Sequence, residues 1–180
     1  MGYFEEILPI VLKEEGGLAM IQGDPGGTTN RGISQRMWSV LRKSPVYTGY
    51  PISVAELTPE QTFHIYQREY WNPKFDEVPK GVALVLFDCA VNQGQGTAVK
   101  VLQRTLKVGV DGKWGPETDR GVRLANRDVP RFIDNLCWER LQEYAKDSKA
   151  QGKASQFPWF LVSLWVPRLS TIRDTAMRMP

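Results

Sequence analysis

The sequence predicts a mainly α-helical chain that forms a single globular domain, with one small β-hairpin after the first helix. Apolar residues near the start recur at the spacing of an amphipathic helix. A capping box at residues 58–61 marks the start of a later helix. The length of 180 residues is that of one domain with one core.

The first predicted helix carries a carboxylate at its end. At about 100° per residue, Phe4, Val11 and Glu15 share one face, so Glu15 continues the apolar stripe. Burial and the negative end of the helix dipole both raise the pKa of a carboxyl group, so we expect Glu15 to be protonated at neutral pH. Gly16-Gly17 ends the helix, because glycine adopts the left-handed cap conformation without strain. Since Pro9 cannot donate a helical hydrogen bond, the helix either begins or is kinked there.

A second carboxylate lies in the turn that follows. Asp24-Pro25-Gly26-Gly27 has the composition of a β-turn. The segments 18–22 and 28–33 are the predicted strands of a hairpin around it, which returns Asp24 and Thr29 toward the helix end. Two carboxylates in unequal environments can serve as acid and base in cleaving a glycosidic bond. A solvated helix end followed by an ordinary turn is the structural alternative.

Helices are predicted for most of the remaining chain. Ser34–Leu41 is a predicted short helix, and residues 43–57 are a predicted loop. Thr58-Pro59-Glu60-Gln61 combines a capping box with proline at the first helical position, and it opens a helix that runs to about Tyr70. Gly-Pro and Asp-Gly steps separate the later helices, which cover residues 80–92, 96–106, 116–125, 129–148 and 156–177.

Several motifs, met in order along the chain, resemble the N-acetylmuramidase family of bacterial and phage glycoside hydrolases, of the Glu-Gly-Gly type. They are Leu12-Lys13-Glu14-Glu15-Gly16-Gly17, Asp24-Pro25-Gly26-Gly27-Thr28-Thr29-Asn30-Arg31-Gly32-Ile33-Ser34, Tyr66-Gln67-Arg68-Glu69-Tyr70-Trp71-Asn72-Pro73, and the run from Pro79 through Phe87-Asp88-Cys89-Ala90-Val91-Asn92-Gln93-Gly94. Leu102-Gln103 with Val110-Asp111-Gly112-Lys113-Trp114-Gly115-Pro116-Glu117-Thr118 resembles the peptidoglycan-binding-like part of that family. The chain departs from the family at Leu18, where an aromatic residue is usual.

The resemblance implies a lysozyme-like fold and an endolysin-like activity. This activity is hydrolysis of the β-1,4 bond between N-acetylmuramic acid and N-acetylglucosamine in peptidoglycan. By this resemblance Glu15 is the general acid, and Asp24 and Thr29 position or activate water. Carboxyl groups about 6.5–9.5 Å apart would leave room for that water and invert the anomeric centre. The implied division is a catalytic part at 1–92 and a peptidoglycan-binding-like helical part at 93–180, packed together as one globular unit.

Four further residues are predicted to contact the glycan. Tyr70 and Trp71 are candidates for stacking on sugar faces, with core packing as the alternative. Asp88 and Asn92 lie one helical turn apart and share a face, which either lines the cleft or caps the helix. The motif at 111–118 also has a purely structural explanation as a turn and a helix start.

Composition limits the partners and cofactors. A net charge of +3 and a pI of about 8.9 suit an anionic cell wall but are too weak to indicate nucleic-acid binding. His64 is the only histidine, which argues against a catalytic zinc site, so we expect no metal or cofactor. Cys89 and Cys137 are expected to be free buried thiols rather than a disulfide. We expect a monomer.

No apolar run is long enough to span a membrane, and the start of the chain lacks the pattern of a signal peptide. The expectation is therefore synthesis in a host cytoplasm and action on the periplasmic cell wall after release, as a phage endolysin or an injected effector. Residues 159–180 read as a last amphipathic core helix, with membrane contact as the alternative. Two other functions fit the same motifs: a lytic transglycosylase that uses Glu15 alone, and a wall-binding module without catalysis.

Overall fold

A computed structural model of the chain describes residues 2–15, 28–150 and 166–179, with the backbone alone for Glu15 and for residues 147–150. The described part is mostly helical, with one two-stranded antiparallel sheet, which confirms the predicted fold class. The helices are α1 Phe4–Glu15, α2 Gln35–Leu41, α3 Pro59–Glu69, α4 Lys80–Gln93, α5 Gln95–Leu106, α6 Pro116–Ala125, α7 Val129–Ala150 and α8 Val166–Ala176. The strands are β1 Thr29–Asn30 and β2 Ile33–Ser34, and 3₁₀ helices lie at Pro45–Tyr47, Val54–Glu56 and Pro73–Glu77.

The chain divides into two compact units. The hairpin unit is Phe4–Glu69, and the α4 unit combines Met1–Tyr3 with Tyr70–Pro180. The predicted functional division at residues 92 and 93 stays a prediction. Among the residues that the structure describes, none of the helices is both long and apolar enough to cross a membrane.

In the hairpin unit, α1 packs its apolar stripe against α3. Phe4 and Val11 are buried, and the Phe4 ring meets the ring of Phe63 edge-on at 4.8 Å between centroids. The helix begins at Phe4 and continues through Pro9, so the proline does not start it. Its ring is accommodated on the exposed side of the helix.

Helix α3 begins with the predicted capping box. The backbone N–H of Thr58 donates to Gln61 Oε1 at 3.0 Å, and the backbone N–H of Gln61 donates to Thr58 Oγ1 at 3.2 Å. These reciprocal bonds satisfy two donors that the helix itself leaves unpaired. Pro59 then occupies the first helical position, where the missing N–H costs nothing.

The hairpin differs from the predicted one. Strands β1 and β2 pair in antiparallel register, with Thr29 opposite Ser34 and Asn30 opposite Ile33. The prediction of one strand over 28–33 is wrong, because the chain reverses in the middle of that segment. Arg31 and Gly32 have φ angles of 47° and 80°, as a two-residue type I′ turn requires. The other predicted strand, 18–22, lies outside the described residues.

In the α4 unit, α4 is the central helix, and α5, α7 and α8 pack around it. Its near-continuous apolar run is buried on all sides. Gly81 allows α8 to approach closely, because a Cβ there would collide with the carbonyl oxygen of Ala176. Cys89 and Cys137 are both buried and both free, as expected. Burial raises the pKa of these thiols to about 11 and about 12, respectively.

The helix boundaries agree closely with the predictions. Helices α2 to α7 all fall within two residues of the predicted ends. The segment 43–57 contains two short 3₁₀ helices within its loop. Helix α8 covers the second half of the predicted helix 156–177, and residues 156–165 of that prediction lie outside the described part of the chain.

Candidate active site

The predicted general acid lies at the end of α1. Glu15 is the last residue of that helix, and the stripe of Phe4, Leu8 and Val11 that leads to it is buried as expected. The side chain of Glu15 and the whole of Asp24 lie outside the described residues. Their catalytic roles therefore stay predictions.

Thr29 is the first residue of β1. Successive side chains of a strand point to opposite faces. Asn30 and Ile33 are buried, so they point into the hairpin unit, whereas Thr29 and Ser34 lie together on the other face and are half-buried. The Ser34 hydroxyl accepts a hydrogen bond from the backbone N–H of Met37 at 3.3 Å and so caps α2. Thr29 therefore lies on a face that a water molecule could reach.

Asn30 attaches the hairpin to a neighbouring segment. Its side chain is only 4% exposed. Its Nδ2 donates to the carbonyl oxygens of Val54 at 2.9 Å and Leu57 at 3.3 Å, and its Oδ1 accepts from Arg31 Nη1 at 3.1 Å. A buried amide needs such partners, because leaving one unpaired costs about 1–3 kcal/mol.

Tyr66 holds the turn between the two strands. Its side chain lies on α3 and is 1% exposed, and its hydroxyl donates to the backbone oxygen of Arg31 at 2.8 Å. Arg31 adopts a left-handed backbone that residues other than glycine rarely take. The hydroxyl of Tyr66 therefore supports the turn at its least favourable residue.

The start of α2 is attached to the same loop. The backbone N–H of Val54 donates to Gln35 Oε1 at 2.7 Å, and Gln35 Nε2 donates to the oxygen of Ile52 at 3.2 Å. The indole N–H of Trp38 donates to the oxygen of Pro51 at 3.0 Å. Neutral hydrogen bonds thus attach both Asn30, beside the turn of the hairpin, and α2, which follows the hairpin, to residues 51–57.

The single histidine belongs to an aromatic cluster in the hairpin unit. His64 Nδ1 lies 2.7 Å from the hydroxyl of Tyr50, and its ring meets that of Tyr47 edge-on. The Tyr47 hydroxyl donates to Glu69 Oε1 at 2.5 Å. Burial of this hydroxyl is the larger cause, and the Glu69 carboxylate the smaller one, of a Tyr47 pKa well above its usual value. Across residues 2–14, 28–146 and 166–179, no three His, Cys, Asp or Glu side chains gather as a metal site.

The predicted aromatic contacts lie in the α4 unit. Trp71 is 7% exposed, and its ring packs edge-on against Phe75 and Phe87 at centroid distances of 5.4 and 5.2 Å. Its indole N–H donates to Asp76 Oδ2 at 3.2 Å. Trp71 therefore takes part in the core, which is the alternative left open above. Tyr70 is half-buried. Sugar stacking by either residue stays a prediction.

Asp88 lies in the interior of the α4 unit. Its side chain is 0% exposed, and its two oxygens meet Arg140 Nη2 and Arg168 Nη2, each at 2.5 Å. Burial alone would raise the pKa of Asp88, but the two guanidinium groups outweigh it and hold the pKa below its usual range. The carboxylate thus ties α4 to α7 and α8. A glycan contact by Asp88 would require this triad to open, and that role stays a prediction.

Asn92 has a local role in the same helix. Its Nδ2 donates to the backbone oxygen of Asp88 at 2.7 Å, one turn earlier, and its side chain is half-buried. The two residues share a helix face as predicted, but their side chains have different environments. A glycan contact by Asn92 stays a prediction.

Arg140 was not identified from the sequence. It is completely buried, its Nη2 also donates to the hydroxyl of Tyr144 at 2.6 Å, and its guanidinium lies over the Tyr144 ring at 5.3 Å. The signal that points to it is Asp88 itself. A carboxylate in the middle of an apolar helix needs a buried partner from another element.

The motif at 110–118 forms a polar network around one amide. Gln103 Oε1 accepts from the backbone N–H groups of Asp111 and Gly112, and its Nε2 donates to Asp111 Oδ1 at 2.8 Å and to the oxygen of Lys113 at 2.9 Å. Gln103, Asp111 and Lys113 also line a cavity of about 310 Å³. The network accounts for the motif as the support of a loop.

Comparisons with known proteins bear on the whole arrangement. Residues 8–94 match the sequence model of the family described as Glycosyl hydrolase 108. The chain is similar to the solved structure of Brucella abortus SagA, with 31% sequence identity and a TM-score of 0.74. The match covers 98% of this chain and 94% of that chain. The chain belongs to the glycosyl hydrolase 108 family. No match was found among curated proteins.

Family membership makes the chain a glycosyl hydrolase of the lysozyme-like kind. It also supports a peptidoglycan-degrading activity. The matched range contains Glu15, Asp24 and Thr29 and ends just after Asn92. The motif at 102–118 lies beyond that range, so its likeness to a peptidoglycan-binding segment stays a prediction.

Proposed function

We propose that the protein is a muramidase, an enzyme that hydrolyses the β-1,4 bond between N-acetylmuramic acid and N-acetylglucosamine in peptidoglycan. The observation that carries the proposal is the family match over residues 8–94, which contains every residue assigned a catalytic role. The buried stripe of α1 that ends at Glu15 and the half-buried position of Thr29 also support it.

In the proposed reaction, Glu15 donates its proton to the glycosidic oxygen as the bond to the anomeric carbon breaks. A water molecule attacks that carbon from the opposite face, and Asp24 accepts the proton that the water loses. The hydroxyl of Thr29 hydrogen-bonds this water and orients it. The product has an inverted anomeric centre, which follows from direct attack by water.

The proposed substrate is the glycan strand of the cell wall. Tyr70, Trp71, Asp88 and Asn92 are the proposed glycan contacts in the α4 unit. The net charge of +3 favours approach to an anionic wall. The proposed setting is that of a bacteriolytic phage endolysin, a monomer without cofactor that reaches the periplasmic wall after release.

The proposal is tested with Glu15→Gln, which keeps the size of the side chain but replaces the carboxyl group by an amide that cannot act as an acid. We expect the rate of turbidity loss of purified walls to fall at least about a hundredfold. Glu14→Gln, one residue earlier on the same helix, is the matched control and should keep the parent rate. A comparable loss is expected for Asp24→Asn. A Glu15→Gln variant with the parent rate would show that Glu15 is not the general acid.

Mass spectrometry of the released fragments separates the two enzymatic alternatives. Hydrolysis gives reducing N-acetylmuramic acid ends, whereas a lytic transglycosylase gives anhydro-muramyl ends because no water enters. A wall-binding module would release neither product. Anhydro-muramyl ends would contradict the muramidase proposal in favour of a lytic transglycosylase. The absence of any released fragment would contradict both enzymatic proposals.

A further inference from the structure

The turn between β1 and β2 is held by more groups than a two-residue hairpin needs. A type I′ turn is ordinarily favoured by asparagine, aspartate or glycine at both central positions. Here the first central position is Arg31, with a φ of 47°. Backbone in this region persists in other residues where the surroundings impose it, and such positions occur often at functional sites.

Two buried side chains impose this conformation. The Tyr66 hydroxyl binds the backbone oxygen of Arg31 at 2.8 Å. The Asn30 amide binds the backbone of Val54 and Leu57 on one side and the Arg31 guanidinium on the other. Both side chains are almost fully buried within the hairpin unit.

These two side chains also fix the position of Thr29. It directly precedes Asn30 in β1 and lies on the opposite, accessible face. A shift of the turn would move Thr29 with its strand, since β1 is only two residues long. Small displacements of a group that orients a reactant reduce the rate steeply, by up to about a hundredfold for about 1 Å.

We infer that Tyr66 and Asn30 are positioning residues for the hydroxyl of Thr29. They act through the backbone of the turn and make no contact with the glycan. This inference rests on the proposed function, in which Thr29 orients the attacking water. It assigns a role in catalysis to a tyrosine of α3 whose hydroxyl donates to a backbone carbonyl of the turn.

The test compares two tyrosine-to-phenylalanine variants in the same unit. Tyr66→Phe removes the hydroxyl that supports the turn, whereas Tyr47→Phe removes an equally buried hydroxyl that binds Glu69 instead. On soluble peptidoglycan strands, we expect Tyr66→Phe to lower kcat about tenfold with KM unchanged. Tyr47→Phe should leave kcat at the parent value, with a similar decrease in melting temperature. Equal kcat values for the two variants would overturn the inference.

A double variant shows whether Tyr66 acts through Thr29. If it does, Thr29→Val combined with Tyr66→Phe should be no slower than Thr29→Val alone, because the group being positioned is already gone. If the double variant lost kcat by the product of the two single losses, the inference would be overturned, since Tyr66 would then affect the rate independently of Thr29. Asn30→Ala provides a second removal of support and should follow the same pattern, with rates referred to the folded fraction measured by circular dichroism.

The outcomes separate this inference from the proposed function. Full activity in both Glu15→Gln and Thr29→Val would contradict the proposed muramidase mechanism itself. Slow Glu15→Gln and Thr29→Val variants together with a Tyr66→Phe variant that behaves like Tyr47→Phe would leave the mechanism standing and remove only the positioning role.

Discussion

The hairpin unit and the α4 unit place the polar residues of their motifs in opposite ways. Thr29 lies half-buried on the accessible face of a strand, next to an asparagine that binds neutral backbone groups. Asp88 lies in the interior, with both oxygens against arginines. A polar residue in a family-like motif is therefore not by itself a substrate contact. The element that carries it, a short strand or a helix buried on all sides, decides which environment it has.

The two arrangements also differ in energy. A neutral hydrogen bond contributes about 0.5–1.5 kcal/mol to the free energy of unfolding. Removing one partner of a buried ion pair costs about 3–5 kcal/mol, because the other charge stays buried without compensation. Equivalent substitutions should therefore damage the α4 unit more than the hairpin unit.

The largest effect is expected for Asp88→Asn. It leaves Arg140 fully buried without its carboxylate, so we expect a loss of about 3–5 kcal/mol in the free energy of unfolding, measured with urea. Asp134→Asn is the matched control in the same unit, because Asp134 pairs with Arg173 at 2.6 Å but both side chains are exposed. That control should lose less than about 1 kcal/mol.

The same pair of variants sharpens the comparison of roles. If Asp88 is mainly a structural support, Asp88→Asn should lose stability while its folded fraction keeps the parent KM. A variant with parent stability and a strongly raised KM would contradict this and would support the proposed glycan contact of Asp88.

The second prediction concerns pH. The arginines hold the pKa of Asp88 below its usual range, so the unfolded chain takes up the proton at a higher pH than the folded protein. The stabilisation is therefore complete above the unfolded pKa of about 3.9 and is lost as pH falls through the folded value. The difference in unfolding free energy between the parent and Asp88→Asn should be constant from pH 7 to about 5 and shrink toward pH 3. A difference that grows on acidification would mean that desolvation prevails over the arginines.

Local sequence patterns predicted the helices well. The capping box at Thr58 and Gln61, proline at the first position of α3 and of α6, and the apolar stripe of α1 are all local signals, and each helix begins where its signal lies. Such elements depend on contacts within a few residues, so a single sequence contains most of what fixes them.

Features that depend on distant residues were predicted less well. The partners of Asp88 come from α7 and α8, and no spacing along the chain identifies Arg140 or Arg168 among the other arginines. The turn at Arg31 was missed because its first position lacks the usual residue and is stabilised by Tyr66, thirty-five positions away. Tertiary contacts outweighed the local preference at both sites.

The smallest effect is expected in the hairpin unit, at the start of the helix that carries Tyr66. Thr58→Ala removes the hydroxyl that accepts from the backbone N–H of Gln61, and we expect a loss of about 1 kcal/mol in the free energy of unfolding. Thr58→Ser keeps an oxygen at that position and should recover most of this loss. Urea unfolding followed by circular dichroism measures both variants. If Thr58→Ala destabilised the protein as much as Asp88→Asn does, capping bonds and buried ion pairs would contribute equally here, and the contrast between the two units would not hold.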